Sequence, residues 1–290
     1  MQGIQRMQSE VLETLTKQIH TRWMTMAKHV WIRGTATDDD IDAIKEAGKE
    51  SRFDPLRLRS GLLEDVKKGK AHLVSRHLVN KSTGKCFASV HLILPVTVQP
   101  KDAIPWALWE KILLLFGRSQ KPWRILIFGS LSKRERPTHN QPLGPSHLNG
   151  GYAYPGDPRS VVLYRLEEAT RVLVHELLHA CGSDDMSLSE SEREVRTESW
   201  AELFLIAVLA KGMVSFANRM WKQQAQWIRD QEEIVALAHG VKGEGDYAWR
   251  YISGRRAYLE SFGMTFPLPS TPLTGLIGNS SRFTNPALCF

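Results

Sequence analysis

The sequence predicts an α+β protein, with a mixed β-sheet in the middle third and a C-terminal half that is largely helical. Three observations carry that prediction. Two alternating, β-branched-rich runs at 71–79 and 86–94 flank Asn80-Lys81-Ser82-Thr83-Gly84, the pattern of a hairpin with a glycine-containing loop. Short apolar runs at 124–128, 151–154 and 160–164 read as further strands, the last two joined by the turn signal Pro155-Gly156-Asp157-Pro158. Beyond them, apolar residues recur at helical spacing over about 167–180, 193–210, 214–238 and 247–261.

Taken in order, Met7, Val11, Leu12, Leu15 and Ile19 give the first thirty residues one amphipathic helix packed on the main body. Asp38 to Asp40 are N-cap material for a short helix ending near 50, and a second helical pattern follows Pro55 to about 68. Pro95 closes the second strand of the hairpin. Pro105 then opens a helix whose apolar face, Trp106, Trp109, Ile112, Leu113 and Phe116, ends at Gly117. The stretch 129–151, rich in Pro, Gly, Ser and basic residues, reads as a functional loop or a connection. The expected division is a helical section at 1–70, the sheet with its following helix at 71–182, a helical subdomain at 183–266 and an irregular tail at 267–290.

At 290 residues the chain is long enough for two domains or one large domain with an appendage. A hydrophobic share of 42% with 24% charged residues excludes wholesale disorder, a collagen-like repeat and a coiled-coil rod. Thirty-eight lysines and arginines against 31 acids leave +7, which admits an anionic partner such as nucleic acid without requiring one. Cys86, Cys181 and Cys289 are odd in number, far apart and without a CxxC pair, so neither a disulfide framework nor a cysteine zinc module is expected and a reducing compartment fits. The N-terminus is charged throughout, with Arg6, Glu10, Glu13, Lys17, Arg22 and Lys28, unlike a signal peptide. The longest apolar stretch, 203–210, falls far short of the roughly 20 residues that span a bilayer. The expectation is an intracellular protein, cytoplasmic, nuclear or virion-associated, with no membrane partner. Oligomeric state is not encoded.

The chemistry concentrates in His175-Glu176-Leu177-Leu178-His179, an HExxH motif inside the helical run after Tyr164. At i and i+4 both imidazoles leave the same face of the helix and can grip one metal, with Glu176 beside them to hold a water. The helix is otherwise apolar at Val172, Leu173, Val174, Leu177 and Leu178, and histidines buried in such a face need a partner or a metal. A catalytic zinc keeps three protein ligands and an open fourth position, so a third ligand is required. Eighteen residues separate His179 from Glu198, giving HExxH-x18-E, and Glu198 lies on an apolar helix that also carries Glu202 at i+4. The rival is Asp185, from His179-Ala180-Cys181-Gly182-Ser183-Asp184-Asp185, an HxxGxxD pattern.

The HExxH-x18-E spacing resembles the gluzincin class of zinc metallopeptidases, and the HxxGxxD reading resembles the aspartate form of the metzincins. In the first class the resemblance implies Glu198 as third zinc ligand and gives Glu202 the place of an outer-shell residue, usually Asp, that accepts from a ligand imidazole. The metzincin reading would also need a Met-containing turn, yet Met213 and Met220 fall in or beside helical patterns. Asn149-Gly150-Gly151-Tyr152, Tyr164-Arg165-Leu166-Glu167-Glu168, the HExxH and Thr197-Glu198-Ser199-Trp200-Ala201-Glu202 together resemble uncharacterised metallopeptidase-like proteins encoded by large DNA viruses. The resemblance covers roughly 149–202 and implies a zincin-like fold and intracellular expression, with no assigned substrate.

The expected function is a zinc peptidase: His175, His179 and Glu198 bind Zn2+, and Glu176 is the general base. An oxyanion donor is expected from Tyr247, then Tyr251, taken as i and i+4 on one helix, with Tyr258 and His239 also available. Strand 160–164 is expected to be the sheet edge over the cleft. Asn149, Gly150 and Gly151 either let a substrate backbone approach or form an ordinary turn. The acids from Glu190 to Glu194 read as a solvated loop between helices, and Cys181 as a small buried residue. Arg118, Lys121, Arg124, Lys133, Arg134 and Arg136 near Trp123 form a basic zone, a solvated loop or a contact for phosphate. With the nine tryptophans, that zone motivates the alternative, a non-catalytic protein binding nucleic acid or a virion component.

Overall fold

The computed structural model describes residues 2–117, 119–138, 140–269 and 278–288, with side chains from residue 10 onward. The Met7 side chain, Arg118, Cys289 and the tail at 270–277 lie outside the described residues. Along the chain run α1 (Gln2–Met24), β1 (His29–Gly34), α2 (Asp38–Ala47), α3 (Leu58–Lys67), β2 (Ala71–Asn80) and β3 (Cys86–Pro95). There follow α4 (Pro100–Ala103), α5 (Trp106–Phe116), β4 (Trp123–Phe128), α6 (Pro145–Leu148), β5 (Gly151–Tyr152), β6 (Val161–Leu163), α7 (Ala169–Ala180), α8 (Glu190–Ala210), α9 (Val214–His239) and α10 (Ser253–Ser261). The chain is α+β, as its patterns predict.

Two compact units share these elements. One joins Thr25–Lys133 to Asn149–Ser183; the other joins Met1–Met24, Arg134–Leu148 and Asp184–Phe290. Residues 25–70 therefore belong with the sheet, whereas α1 belongs with the C-terminal helices.

The sheet unit holds six strands in the order β1-β2-β3-β4-β6-β5. The β2–β3 hairpin pairs Ala71 with Pro95 and keeps register to a bulge at Leu78/Val79. Strands β3, β4 and β6 are mutually parallel, so each needs a crossover. The first crossover carries α5, an apolar helix opened by Pro105. Val90, Ile125 and Val161 align across those three strands and are wholly buried, which suits a sheet centre covered on both faces. On the other face Ile93, Leu126, Phe128 and Val162 pack with Ile44 and Ala47 of α2 and Leu62 of α3.

Three expectations need correction here. The first thirty residues do not form one helix: α1 stops at Met24 and His29–Gly34 is an edge strand paired with β2. The β-branched and aromatic run Val30-Trp31-Ile32 is its signal. Strand 160–164 is not a sheet edge, because β6 pairs with β4 on one side and β5 on the other; the edge is Gly151–Tyr152. The helix expected over 247–261 is broken: a 3-10 turn at Trp249–Tyr251 precedes α10, and Ile252 leaves helical backbone at φ −123, ψ −81.

A buried polar cluster fastens α2 to the sheet. Thr37 and Asp40 form a reciprocal capping box at the start of α2. Asp40 Oδ2 also lies 3.4 Å from His91 Nε2, and His91 Nδ1 is 2.9 Å from Ser75 Oγ. Asp39 pairs with Arg124 at 2.8 Å and with Arg159, which ties the turn before β6 to the same cluster. Burial, with the positive charges of Arg124 and Arg159 and the neighbouring His77, holds the His91 pKa below its ordinary value against the pull of Asp40. Burial alone would raise Asp40, but hydrogen bonds from Thr37 and the charges of His91 and Arg124 leave it lowered.

The helical unit packs α1, α8, α9 and α10 around Leu12, Leu203, Ile206, Met220, Trp221, Ile228 and Leu259. Within it the wholly buried Arg255 and Glu202 pair at 3.2 Å. Gln224 donates to Glu202 at 3.0 Å and to the Phe283 carbonyl at 2.7 Å. Among the described residues no helix is long and apolar enough to cross a membrane.

Because folding lowers the His91 pKa, the unfolded chain takes up a proton first as pH falls, so stability rises with pH through the window just below about 6.5. Urea midpoints at about pH 7.5 and about pH 5.5 should therefore fall more on acidification for the wild type than for His91→Gln. Equal losses would show that His91 does not supply the dependence.

Candidate functional site

Helix α7 enters from Glu168, a non-glycine residue in the left-handed region at φ 58, ψ 26, and makes no side-chain cap there. Its first turn is fastened instead by Trp109 of α5, whose Nε1 donates to Thr170 Oγ1 at 2.9 Å. Its last turn closes as a Schellman motif: Gly182 N–H bonds the His179 carbonyl at 3.0 Å and Ser183 N–H the Leu178 carbonyl at 3.3 Å. Gly182 takes the φ of +77 that this closure demands. The predicted helix end at Gly182 is thus realised, and the β5–β6 turn joins it, with Gly156 N–H donating to the His179 carbonyl at 3.0 Å.

His175 and His179 come together as their spacing predicts. Their Nε2 atoms stand 3.1 Å apart, with ring centroids at 4.8 Å and planes at 74°. They are 6% and 8% exposed, and Glu176 between them is 5% exposed. Two buried imidazole nitrogens converging on one point are the donor set a divalent transition metal takes, so the residues fit such an ion. Glu176 sits against β5: a Cβ placed on Gly151 would stand 2.9 Å from its Oε1. The carbonyls of Asn149 and Gly150 are bonded within the unit, by Arg165 Nε at 3.0 Å and by the Tyr164 N–H at 2.9 Å.

The predicted carboxylates belong to the helical unit. Glu190 to Glu194 do not form a loop, because α8 begins at Glu190 under a capping box of Ser189 and Glu192. Acidic side chains in that first turn also suit the positive end of the helix. The Ser-x-x-Glu signature was the available signal, and with the helix start moved forward Glu194 falls one turn before Glu198 on the same face. Glu194 is a further carboxylate of α8 that the spacing argument does not weigh. Glu198 is 2% exposed, and Glu202 accepts from Arg255 and Gln224. Asp185 is exposed and accepts from Ser187 N–H at 3.1 Å and Ser187 Oγ at 2.6 Å, which lowers its pKa and identifies it as turn chemistry.

Tyr247 and Tyr251 are not a helical i, i+4 pair, since only Tyr251 lies in the 3-10 turn, but their rings meet at 5.6 Å. Both border the cluster of Leu143, Val235, Ile252 and Phe283. Burial first, then the Glu194 carboxylate and Tyr247, raise the Tyr251 phenol well above its ordinary pKa, so it keeps its proton as a donor.

Two further expectations change. Cys181 is exposed, its Sγ donating to the Leu178 carbonyl at 3.2 Å. The basic zone is not one solvated loop. Arg124 is committed to Asp39, and Arg134 is 1% exposed and donates to the Leu148 carbonyl at 2.8 Å. Burial lowers the pKa of Arg136. Trp109, Trp123, Trp221 and Trp227 are among the largest wholly buried side chains, so they are core rather than contact surface.

No family model matches the chain, and no curated protein or solved structure matches it.

Gly182→Ala would force a side chain into the left-handed region at the end of α7. Chemical denaturation should show a loss of about 1–2 kcal/mol. A smaller loss for Gly182→Ala than for Ala at exposed Ser183, which does not take a positive φ, would contradict the closure described.

Proposed function

We propose that this protein is a zinc-dependent metallopeptidase acting through α7. The observation that supports it is the convergence of two buried imidazole nitrogens at 3.1 Å with Glu176 between them in sequence. In this reading His175 and His179 are two ligands, and a carboxylate of α8 is the third: Glu198 by the eighteen-residue spacing, or Glu194 one turn earlier. Asp185 is left to its turn.

When bound, the ion supplies Lewis acidity toward the scissile carbonyl and lowers the pKa of water toward about 7. Glu176 takes one proton from the attacking water as its oxygen bonds the carbonyl carbon, then passes that proton to the nitrogen as the C–N bond breaks. A phenol of the 247–251 turn, Tyr247 before Tyr251, donates to the oxygen that becomes negative. The substrate class is peptide or protein.

Metal analysis of dialysed protein should find about one zinc per chain, and a His175→Ala, His179→Ala pair should abolish it. Glu176→Gln should keep the zinc while slowing casein hydrolysis by about 100- to 10,000-fold. Zinc unaffected by the histidine pair would sink the reading.

The carboxylates are separated by the same measurement. Loss of a true ligand lowers zinc affinity by orders of magnitude, and loss of a neighbour by about 10–100-fold. One of Glu194→Ala and Glu198→Ala should strip the ion while Asp185→Ala leaves it bound. Stripping by Asp185→Ala alone would replace α8 with the HxxGxxD ligand set.

A further inference from the structure

We propose that Gly151, at the start of the edge strand, is a positioning residue for Glu176, holding by its missing side chain the space in which the carboxylate stands. The inference rests on the reading of Glu176 as general base and adds a residue that no motif singles out for this role.

The steric case is specific. A Cβ on Gly151 would lie 2.6 Å from Val172 Cγ1, 2.8 Å from the Val162 carbonyl oxygen and 2.9 Å from Glu176 Oε1. Val172 and Glu176 are i and i+4, one above the other on the face of α7 that β5 lies against. The antiparallel register, Gly151 to Leu163 and Tyr152 to Val162, fixes the strand above them. The three neighbours differ in how they can yield. The Val162 oxygen is backbone in a strand paired on both sides. Val172 is β-branched in a helix and holds one dominant rotamer. Glu176 alone presents the far end of a flexible side chain, so a methyl at 151 displaces the carboxylate readily, while its contacts with Val172 and the Val162 carbonyl also strain the framework.

Gly151→Ala and the double variant Gly151→Ala, Val172→Ala are compared, since the second removes the closest packing contact, that with Val172, and leaves those with the Val162 carbonyl and the carboxylate. Crystal structures of both should show Glu176 Oε1 moved by about 1 Å or more, with His175 and His179 in place and zinc content unchanged. A misplacement of that size costs about 100-fold in rate. On casein, kcat should fall by about that factor with KM within about twofold, and kcat should stay low in the double variant. A carboxylate that stays in its wild-type place in both structures overturns the proposal, as does a kcat restored by Val172→Ala. If wild-type protein neither holds zinc nor cleaves casein, the peptidase reading has failed, and the two structures still decide whether Gly151 sets the Glu176 position.

Discussion

Carrying two imidazoles and a carboxylate into a buried setting on one helix is the constraint around which the sheet unit is organised. A polar group removed from water without a partner costs several kcal/mol, so α7 can be buried along most of its length only where neighbours supply hydrogen bonds at its ends and space along its face. The supply is local and redundant. Trp109 anchors the first turn, Gly182 closes the last, Gly156 donates to the carbonyl of His179, and the bare backbone at Gly151 makes room for Glu176.

The sheet makes that arrangement rigid. Its parallel centre of β3, β4 and β6 buries apolar side chains on both faces, with His91 as a polar exception, and the two-residue antiparallel strand β5 lies against α7. The turn between β5 and β6 is held at both sides, by Gly156 on α7 and by Arg159 on Asp39. The cluster of Asp40, His91 and Ser75 therefore does more than cap α2: it belongs to the same chain of contacts that fixes where β5 runs.

In the helical unit the three glutamates at one-turn intervals on α8 meet different surroundings. Glu202 is drawn into a wholly buried pair with Arg255, which is costly to desolvate and is offset by Gln224 as a further donor. Glu198 is equally deep, whereas Glu194 is half-buried and close enough to Tyr251 to raise its pKa. Spacing alone treats these residues as equivalents. Burial and neighbours make them distinct.

Local signals determined much of this protein. The β2–β3 hairpin, the apolar α5 behind Pro105, the HExxH helix with its end at Gly182, and the long helices α8 and α9 follow from alternation, 3.6-residue periodicity and capping chemistry, all of which act within a few residues. The convergence of His175 and His179 follows likewise, because i and i+4 share a face whatever surrounds the helix. Tertiary structure decided what those rules cannot reach. His29–Gly34 became a strand because β2 offered it a partner some fifty residues away, and the edge of the sheet fell to two residues at Gly151–Tyr152 because β6 was paired on both sides. Arginines that read as a basic surface were drawn inward by a carboxylate and by backbone carbonyls. The purpose of Gly151 was invisible for the same reason: a missing side chain has meaning only once the atoms that would collide with it, Val172 and Glu176 on another element, have been brought to its place.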